Sequence, residues 1–152
     1  MQNTLANAPQ ISSEERFYAP LADAKISMID VRDIAAVTTA VLTGEGHEGK
    51  VYELTGPEGI SNRDVAEKLS AVLGKPVEHV EVSFEDARQA MVGSGVSEWY
   101  ADGLIEPFGI YEAGYAAGVA GGVAEATGRE PRSFEDFARD HRAEFEGMRS
   151  AM

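Results

Sequence analysis

Cysteine is absent from this sequence, so disulfide bonds, thiolate metal sites and a cysteine nucleophile are all excluded. Basic side chains are scarce, with 13 Lys and Arg against 26 Asp and Glu, which gives a formal net charge of −13. So negative a surface repels phosphate backbones and anionic lipids, although an excess of carboxylates also simply keeps a protein in solution. We therefore expect no nucleic acid and no membrane partner, and expect neutral or cationic molecules or another protein instead.

Long hydrophobic runs are also missing, because no window approaches 18 consecutive apolar residues. The first ten residues lack the basic and apolar stretches of a secretory signal, so the expected location is cytoplasmic. The three histidines lie on separate predicted elements without the spacing of a zinc-ligand pair, and no metal site is expected. With 152 residues, of which 43% are hydrophobic, the chain is predicted to be one domain over residues 1–152.

Short β-prone runs alternate with helical patterns along the chain. The predicted strands are residues 17–19, 26–29, 50–55 and 77–82, and the first two are expected to form a hairpin or a bent pair. Helices are expected to begin near Asp30 or Asp33 and at Ser61, Ser83 and Ser133, because these side chains can accept backbone N–H groups. A further helical pattern covers residues 97–126, where Pro107 and several glycines interrupt it. The predicted fold class is α/β, with few short strands and about five helices.

Three collinear segments resemble one family. They are Ile26–Ala35, Tyr52–Pro57 leading into Ser61–Pro76, and Thr127–Phe137. Together they resemble the carboxy-terminal half of the NmrA-like group of atypical short-chain dehydrogenases, which includes NAD(P)H-dependent quinone and azo-dye reductases. The resemblance covers nearly the whole chain. It implies a truncated Rossmann-type domain, α+β-like as a fragment, that holds the substrate-binding half and lacks the nucleotide-binding half.

The sequence offers no evident means of holding the family's nicotinamide cofactor. Residues 44–49 match G-x-G-x-x-G, but they follow a predicted helix and precede a strand, which reverses the order that a diphosphate site requires. The two glutamates of this loop would repel a diphosphate. None of the five tyrosines has a lysine four residues later. We therefore expect no cofactor and interpret the chain as a substrate-binding-domain fragment that is not itself a competent nicotinamide oxidoreductase.

A row of carboxylates suggests a different function. Glu98, Asp102 and Glu106 have the spacing of one helix face, beside Trp99 and Tyr100. A carboxyl group near an aromatic wall can have a raised pKa and act as a general acid while its neighbour stays ionised. This pattern allows a small cofactor-independent hydrolase of the glycosidase type. The alternative is a solvated acidic face beside a buried tryptophan.

The same region is rich in aromatic residues. The family resemblance places substrate-pocket walls here, and a flat apolar slot would suit a quinone or another aromatic compound. The competing interpretation is ordinary core packing. The candidate substrate-binding residues are Trp99, Tyr100, Phe108, Tyr111 and Tyr115.

The resemblance also bears on assembly. Parallel sheets are normally buried on both faces, so a chain without the first half would expose its strand at 51–54 and the helices beginning near Ile34 and Ser61. We expect a homodimer or a higher homo-oligomer that completes the fold. Small residues at 114, 118 and 122 could admit a helix of another subunit. A non-catalytic interaction module is the third functional hypothesis.

Overall fold

The computed structural model describes residues 1–147 and is mostly helical. Within these residues there are nine α-helices and two strands, so the expectation of about five helices was wrong. A 3-10 helix, Gln2–Asn7, leads into the first of them. In chain order the elements are α1 (Ala8–Glu14), β1 (Arg16–Ala19), α2 (Val31–Thr43), α3 (Asn62–Leu73), β2 (Glu78–Glu81), α4 (Phe84–Gly93), α5 (Glu98–Ile105), α6 (Phe108–Glu112), α7 (Gly122–Thr127), α8 (Phe134–Asp140) and α9 (Arg142–Phe145).

The two strands pair in parallel, with Phe17 opposite His79. This pairing confirms strands near 17–19 and 77–82, but the hairpin expected between residues 17–19 and 26–29 was wrong. Leu21 has a positive φ of 62°, and the Asn62 side chain donates to the Pro20 and Leu21 carbonyls. This turn directs the chain away from β1. The 26–29 run makes only one antiparallel bridge, between Ile26 and Ile60.

The run predicted as a strand at 50–55 has no strand partner among residues 1–147. Val51 to Leu54 make no backbone–backbone hydrogen bond to any described residue. The start of α7 lies beside the run instead, because a Cβ on Gly122 would collide with the carbonyl oxygen of Glu53. The strand prediction was wrong, because these residues pair with no other strand within residues 1–147.

The hydrophobic core lies between β1 and helices α1, α3, α8 and α9. Phe17, Leu69 and Phe137 are among its fully buried side chains. The predicted caps of α3 and α8 are confirmed, since Ser61 and Ser133 each form a reciprocal capping box. The apolar face of α3 is covered by this core, so the expectation that it would be exposed was wrong.

The helical pattern at 97–126, which Pro107 and several glycines interrupt, forms three short helices. Pro107 lies between α5 and α6, and Gly114, with φ of 80°, follows the end of α6. The small-residue face expected at 114, 118 and 122 does not exist, because only Gly122 lies in a helix. In the part of the chain that the structure describes, no helix is long and apolar enough to cross a membrane.

Candidate functional site

The predicted carboxylates lie on or beside α5, next to an arginine of α4. Ser97 caps α5, and its hydroxyl accepts the backbone N–H of Tyr100. Arg88 Nε donates to Asp102 Oδ1 over 2.5 Å, and Arg88 Nη2 donates to Glu98 Oε2 over 3.1 Å. Glu106 is the C-cap residue of the same helix. Two of the three carboxylates therefore share one guanidinium, a contact that sequence spacing did not reveal.

Arg88 stabilises the ionised form of one of these carboxylates, Asp102. Its hydrogen bonds hold the pKa of Asp102 below the ordinary value for an aspartate. The lowered pKa favours the ionised form of Asp102. The glycosidase-type hydrolase stays a prediction.

A shallow groove on the surface of α5 brings the aromatic and acidic candidates together. Its lining comprises Trp99, Tyr100, Asp102, Gly103, Leu104 and Glu106. The Trp99 side chain is 84% exposed, so the expectation of a buried tryptophan was wrong. Leu104 is also exposed. The groove is therefore a partly aromatic, apolar surface with two carboxylates in its lining.

The remaining aromatic candidates lie beside the groove rather than in it. Phe108 stacks on Phe84 of α4, with ring centroids 5.7 Å apart and an interplanar angle of 22°. Tyr111 packs edge-on against Phe108 at 5.9 Å. Tyr115 follows α6 in an irregular segment and is largely exposed. Phe108 and Tyr111 thus pack within the α4–α6 region, half-buried and outside the core, and their role in substrate binding stays a prediction.

The irregular segment at 115–121 is fixed to the core by two hydroxyl side chains. Ser27 Oγ donates to the Ala117 carbonyl over 3.0 Å, and the Ala120 N–H donates to Thr55 Oγ1 over 2.9 Å. The backbone N–H of Ser27 also donates to the Ala116 carbonyl. These contacts set where the groove region returns to the core. Sequence reasoning missed them, since no local signal links residues so far apart in the chain.

A second cluster centres on Asp30, which is fully buried. Arg32 donates to it through Nε and Nη2, the latter over 2.6 Å, and the Gln2 amide donates over 3.0 Å. Burial opposes ionisation, but these hydrogen bonds outweigh it and hold the pKa of Asp30 well below its usual range. Arg32 also pairs with Asp140. The cluster caps α2, as predicted, and ties it to the 3-10 helix and α8.

The N-termini of five of the described helices are unfavourable for the diphosphate of a nicotinamide dinucleotide. Such a group needs a helix N-terminus free of competing carboxylates. The first turns of α2, α3, α4, α5 and α8 contain Asp33, Asp64, Asp86, Glu98 and Asp136. The loop at 44–49 follows α2 and enters an extended segment, not a helix. Residues 1–147 also hold no group of three or more potential metal ligands.

Proteins of known activity resemble this chain over most of its length. No protein-family model matches it. It is 45% identical over 145 residues to the NAD(P)H azoreductase of Xenophilus azovorans, a match to 95% of this chain and 51% of that protein. It is 38% identical over 145 residues to a (4-alkanoyl-5-oxo-2,5-dihydrofuran-3-yl)methyl phosphate reductase of Streptomyces griseus, again over 51% of that protein. The chain thus spans about half the length of the curated relatives it matches.

Solved structures agree with this relationship. An NADPH-dependent quinone oxidoreductase of Escherichia coli in complex with NADPH superposes with a TM-score of 0.81 at 27% identity, over 93% of this chain and 50% of that one. The Citrobacter triphenylmethane reductase in complex with NADP(H) gives a TM-score of 0.74 at 26% identity, over 86% and 46% of the two chains. The chain is therefore a homologue, over about half of their length, of the NmrA-like reductases that include the quinone and azo reductases.

Proposed function

We propose that this chain provides the substrate-facing surface of an NAD(P)H-dependent reductase whose substrates are flat, neutral aromatic compounds. The observation that carries the proposal is the groove of α5, where Trp99, Tyr100 and Leu104 are exposed together. Exposed aromatic clusters of this kind are typical of binding surfaces. Relatives named as azo and quinone reductases support this reaction class.

The charge around the groove favours some substrates over others. Arg88 lowers the pKa of Asp102, and Glu106 also lines the groove. Carboxylates at this position repel anions and tolerate neutral or cationic rings. A neutral quinone is therefore a better substrate than a sulfonated dye.

Hydride must reach the groove from outside the described residues. The carboxylates in the first turns of the longer helices disfavour a bound diphosphate. Reduction needs a nicotinamide held next to the substrate. The isolated chain is accordingly a binding surface for the aromatic substrate, without the means to reduce it.

Trp99 is the only tryptophan of the chain, so its fluorescence reports directly on the groove. We expect saturable quenching by 1,4-naphthoquinone, in contrast to the linear quenching of free N-acetyltryptophanamide. Tyr100→Ala and Leu104→Ala should each weaken binding about fivefold, because each loses roughly 1 kcal/mol of apolar contact. The matched control is Ile110→Ala, an exposed apolar residue outside the groove lining.

The proposal fails if quenching does not saturate or if Ile110→Ala weakens it as much as the groove variants. A naphthoquinone sulfonate should bind more weakly than the neutral ring. Titration with NADPH should give no saturable binding to this chain. Tight binding of NADPH would contradict the assignment of the nicotinamide to another part of the enzyme.

A further inference from the structure

The α5 groove is lined by acidic side chains without a basic one. Asp102 and Glu106 are carboxylates, and no Lys, Arg or His of residues 1–147 lines the groove beside them. The same imbalance extends through residues 84–114, where Arg88 is the only Lys, Arg or His. The acidic residues of this segment are Glu85, Asp86, Glu98, Asp102, Glu106 and Glu112. Within the segment, the groove carboxylates therefore depend on Arg88 for a compensating charge.

Arg88 binds one of the two groove carboxylates from the neighbouring helix. Its Nε donates to Asp102 Oδ1 over 2.5 Å, and its Nη2 donates to Asp102 Oδ2 over 3.4 Å. A guanidinium that meets both oxygens of a carboxylate is held in a defined orientation. The Arg88 side chain is 27% exposed, against 59% for that of Asp102. The cation is thus the more shielded member of the pair, and the carboxylate is the member that lines the groove.

The balance of charge in this cluster depends on a single residue. Arg88 Nη2 also donates to Glu98 Oε2 over 3.1 Å, whereas Glu106 is not among its partners in the described chain. With Arg88 present, two carboxylates share one positive charge. Without it, Glu98, Asp102 and Glu106 would all lack a compensating charge from residues 84–114.

Such a change in local charge distinguishes ligands by their own charge. A cationic ring in the groove is attracted by Asp102 and Glu106 and repelled by Arg88, whereas a neutral ring interacts weakly with all three. Loss of the Arg88 charge should therefore strengthen the binding of cations selectively.

We propose that Arg88 sets the charge selectivity of the α5 groove, because its pairing with Asp102 and Glu98 keeps the groove suited to neutral rings. The inference rests on the proposed function, since it concerns the same groove. Arg88 does not itself line the groove, so it acts through Asp102 as a positioning residue.

The test compares two flat ligands of similar size by quenching of Trp99 fluorescence in the full chain. One is the neutral 1,4-naphthoquinone and the other is the cationic N-methylquinolinium. We expect Arg88→Gln to tighten binding of N-methylquinolinium about threefold at low ionic strength and to change binding of naphthoquinone less than about twofold. The matched control is Arg139→Gln, which removes the same charge from an exposed ion pair with Asp136 on α8 and should change neither.

Two further variants separate the charge of Arg88 from its packing. Arg88→Lys keeps the charge and should keep the ligand preference of the unsubstituted chain. Arg88→Gln combined with Asp102→Asn removes one charge of each sign and should restore that preference. The effect of Arg88→Gln should also disappear in about 1 M NaCl, where charges are screened beyond roughly 3 Å.

Each contrary outcome has a distinct form. A merely structural role of Arg88 would weaken both ligands alike in Arg88→Gln, and neither salt nor the second substitution would reverse the loss. That result, an unchanged ligand preference in Arg88→Gln, or an equal effect of Arg139→Gln would overturn the inference while leaving the groove as a binding surface. Failure of the proposed function shows separately, as absence of saturable quenching by either ligand in the unsubstituted chain, and it would overturn the inference as well.

Discussion

The aromatic residues of this chain occupy two opposite environments. Phe134, Phe137 and Phe145 in α8 and α9 are fully buried, with the rings of Phe134 and Phe137 5.7 Å apart. In α5, Trp99 is 84% exposed and Tyr100 is 55% exposed. Similar side chains thus stabilise the fold in one region and form a bare surface in the other. The difference shows that the rings of α8 and α9 contribute to the core, whereas those of α5 leave apolar area exposed to solvent.

The largest expected effect on stability is that of truncating a buried ring, and truncation of an exposed ring provides the comparison. Phe137→Ala should lower the free energy of unfolding by about 3–5 kcal/mol, because it leaves a cavity among fully buried rings. Trp99→Ala should change it by less than about 0.5 kcal/mol, since the indole is mostly in water. Urea denaturation followed by far-ultraviolet circular dichroism measures both. Equal losses would show that the α5 region is part of the same core.

A smaller effect is expected where α7 meets the extended run. Gly122→Ala should lower the free energy of unfolding by about 1–3 kcal/mol, because the new methyl group collides with the Glu53 carbonyl. Gly121→Ala is the matched control, since a Cβ there meets open space. Thermal unfolding monitored at 222 nm compares the two. A more stable or unchanged Gly122→Ala would show that the 50–55 segment is not fixed against α7.

The last comparison is between a buried and an exposed carboxylate, and the smallest effect is expected at the exposed one. The pKa of Asp30 is lowered in the folded chain, so its ionised form stabilises the fold above the unfolded-state pKa of about 3.9. This contribution is lost as the pH falls below that value toward the folded pKa. Asp30→Asn should therefore lower stability at pH 7 by roughly 1–3 kcal/mol and flatten its fall between about pH 4 and pH 2.

Asp102→Asn provides the surface comparison, because Asp102 is exposed and solvent screens its ion pair with Arg88. It should leave the acid unfolding curve nearly unchanged. Urea midpoints measured at intervals from pH 7 to pH 2 distinguish the variants. A pH profile of Asp30→Asn that parallels that of the unsubstituted chain would contradict the role assigned to Asp30.

The sequence predicts the parts of the fold that depend on neighbouring residues. The caps at Ser61, Ser83 and Ser133 were predicted correctly, because a hydroxyl and a nearby carboxylate are local signals. The parallel pairing of β1 with β2 was missed, because it joins residues about sixty positions apart. Pairing between distant strands depends on what packs over them, and sequence spacing carries little of that information.

The candidate site was predicted less well than the fold. The sequence placed Glu98, Trp99 and Asp102 on one helix, and the structure agrees. It could not show that Trp99 is exposed or that Arg88 joins two of the carboxylates, because both depend on how α4 and α5 pack. The exposure of the extended run at 51–54 was predicted only through the family resemblance.

The hydroxyl contacts of Ser27 and Thr55 with residues 117 and 120 have a consequence for evolution. Residues 84–114 follow β2 and form helices α4, α5 and α6. The chain then rejoins the core where these two side chains bind its backbone. Both ends of this segment are thereby held in place independently of the residues within it. Its length and side chains can change without displacing these two anchor points.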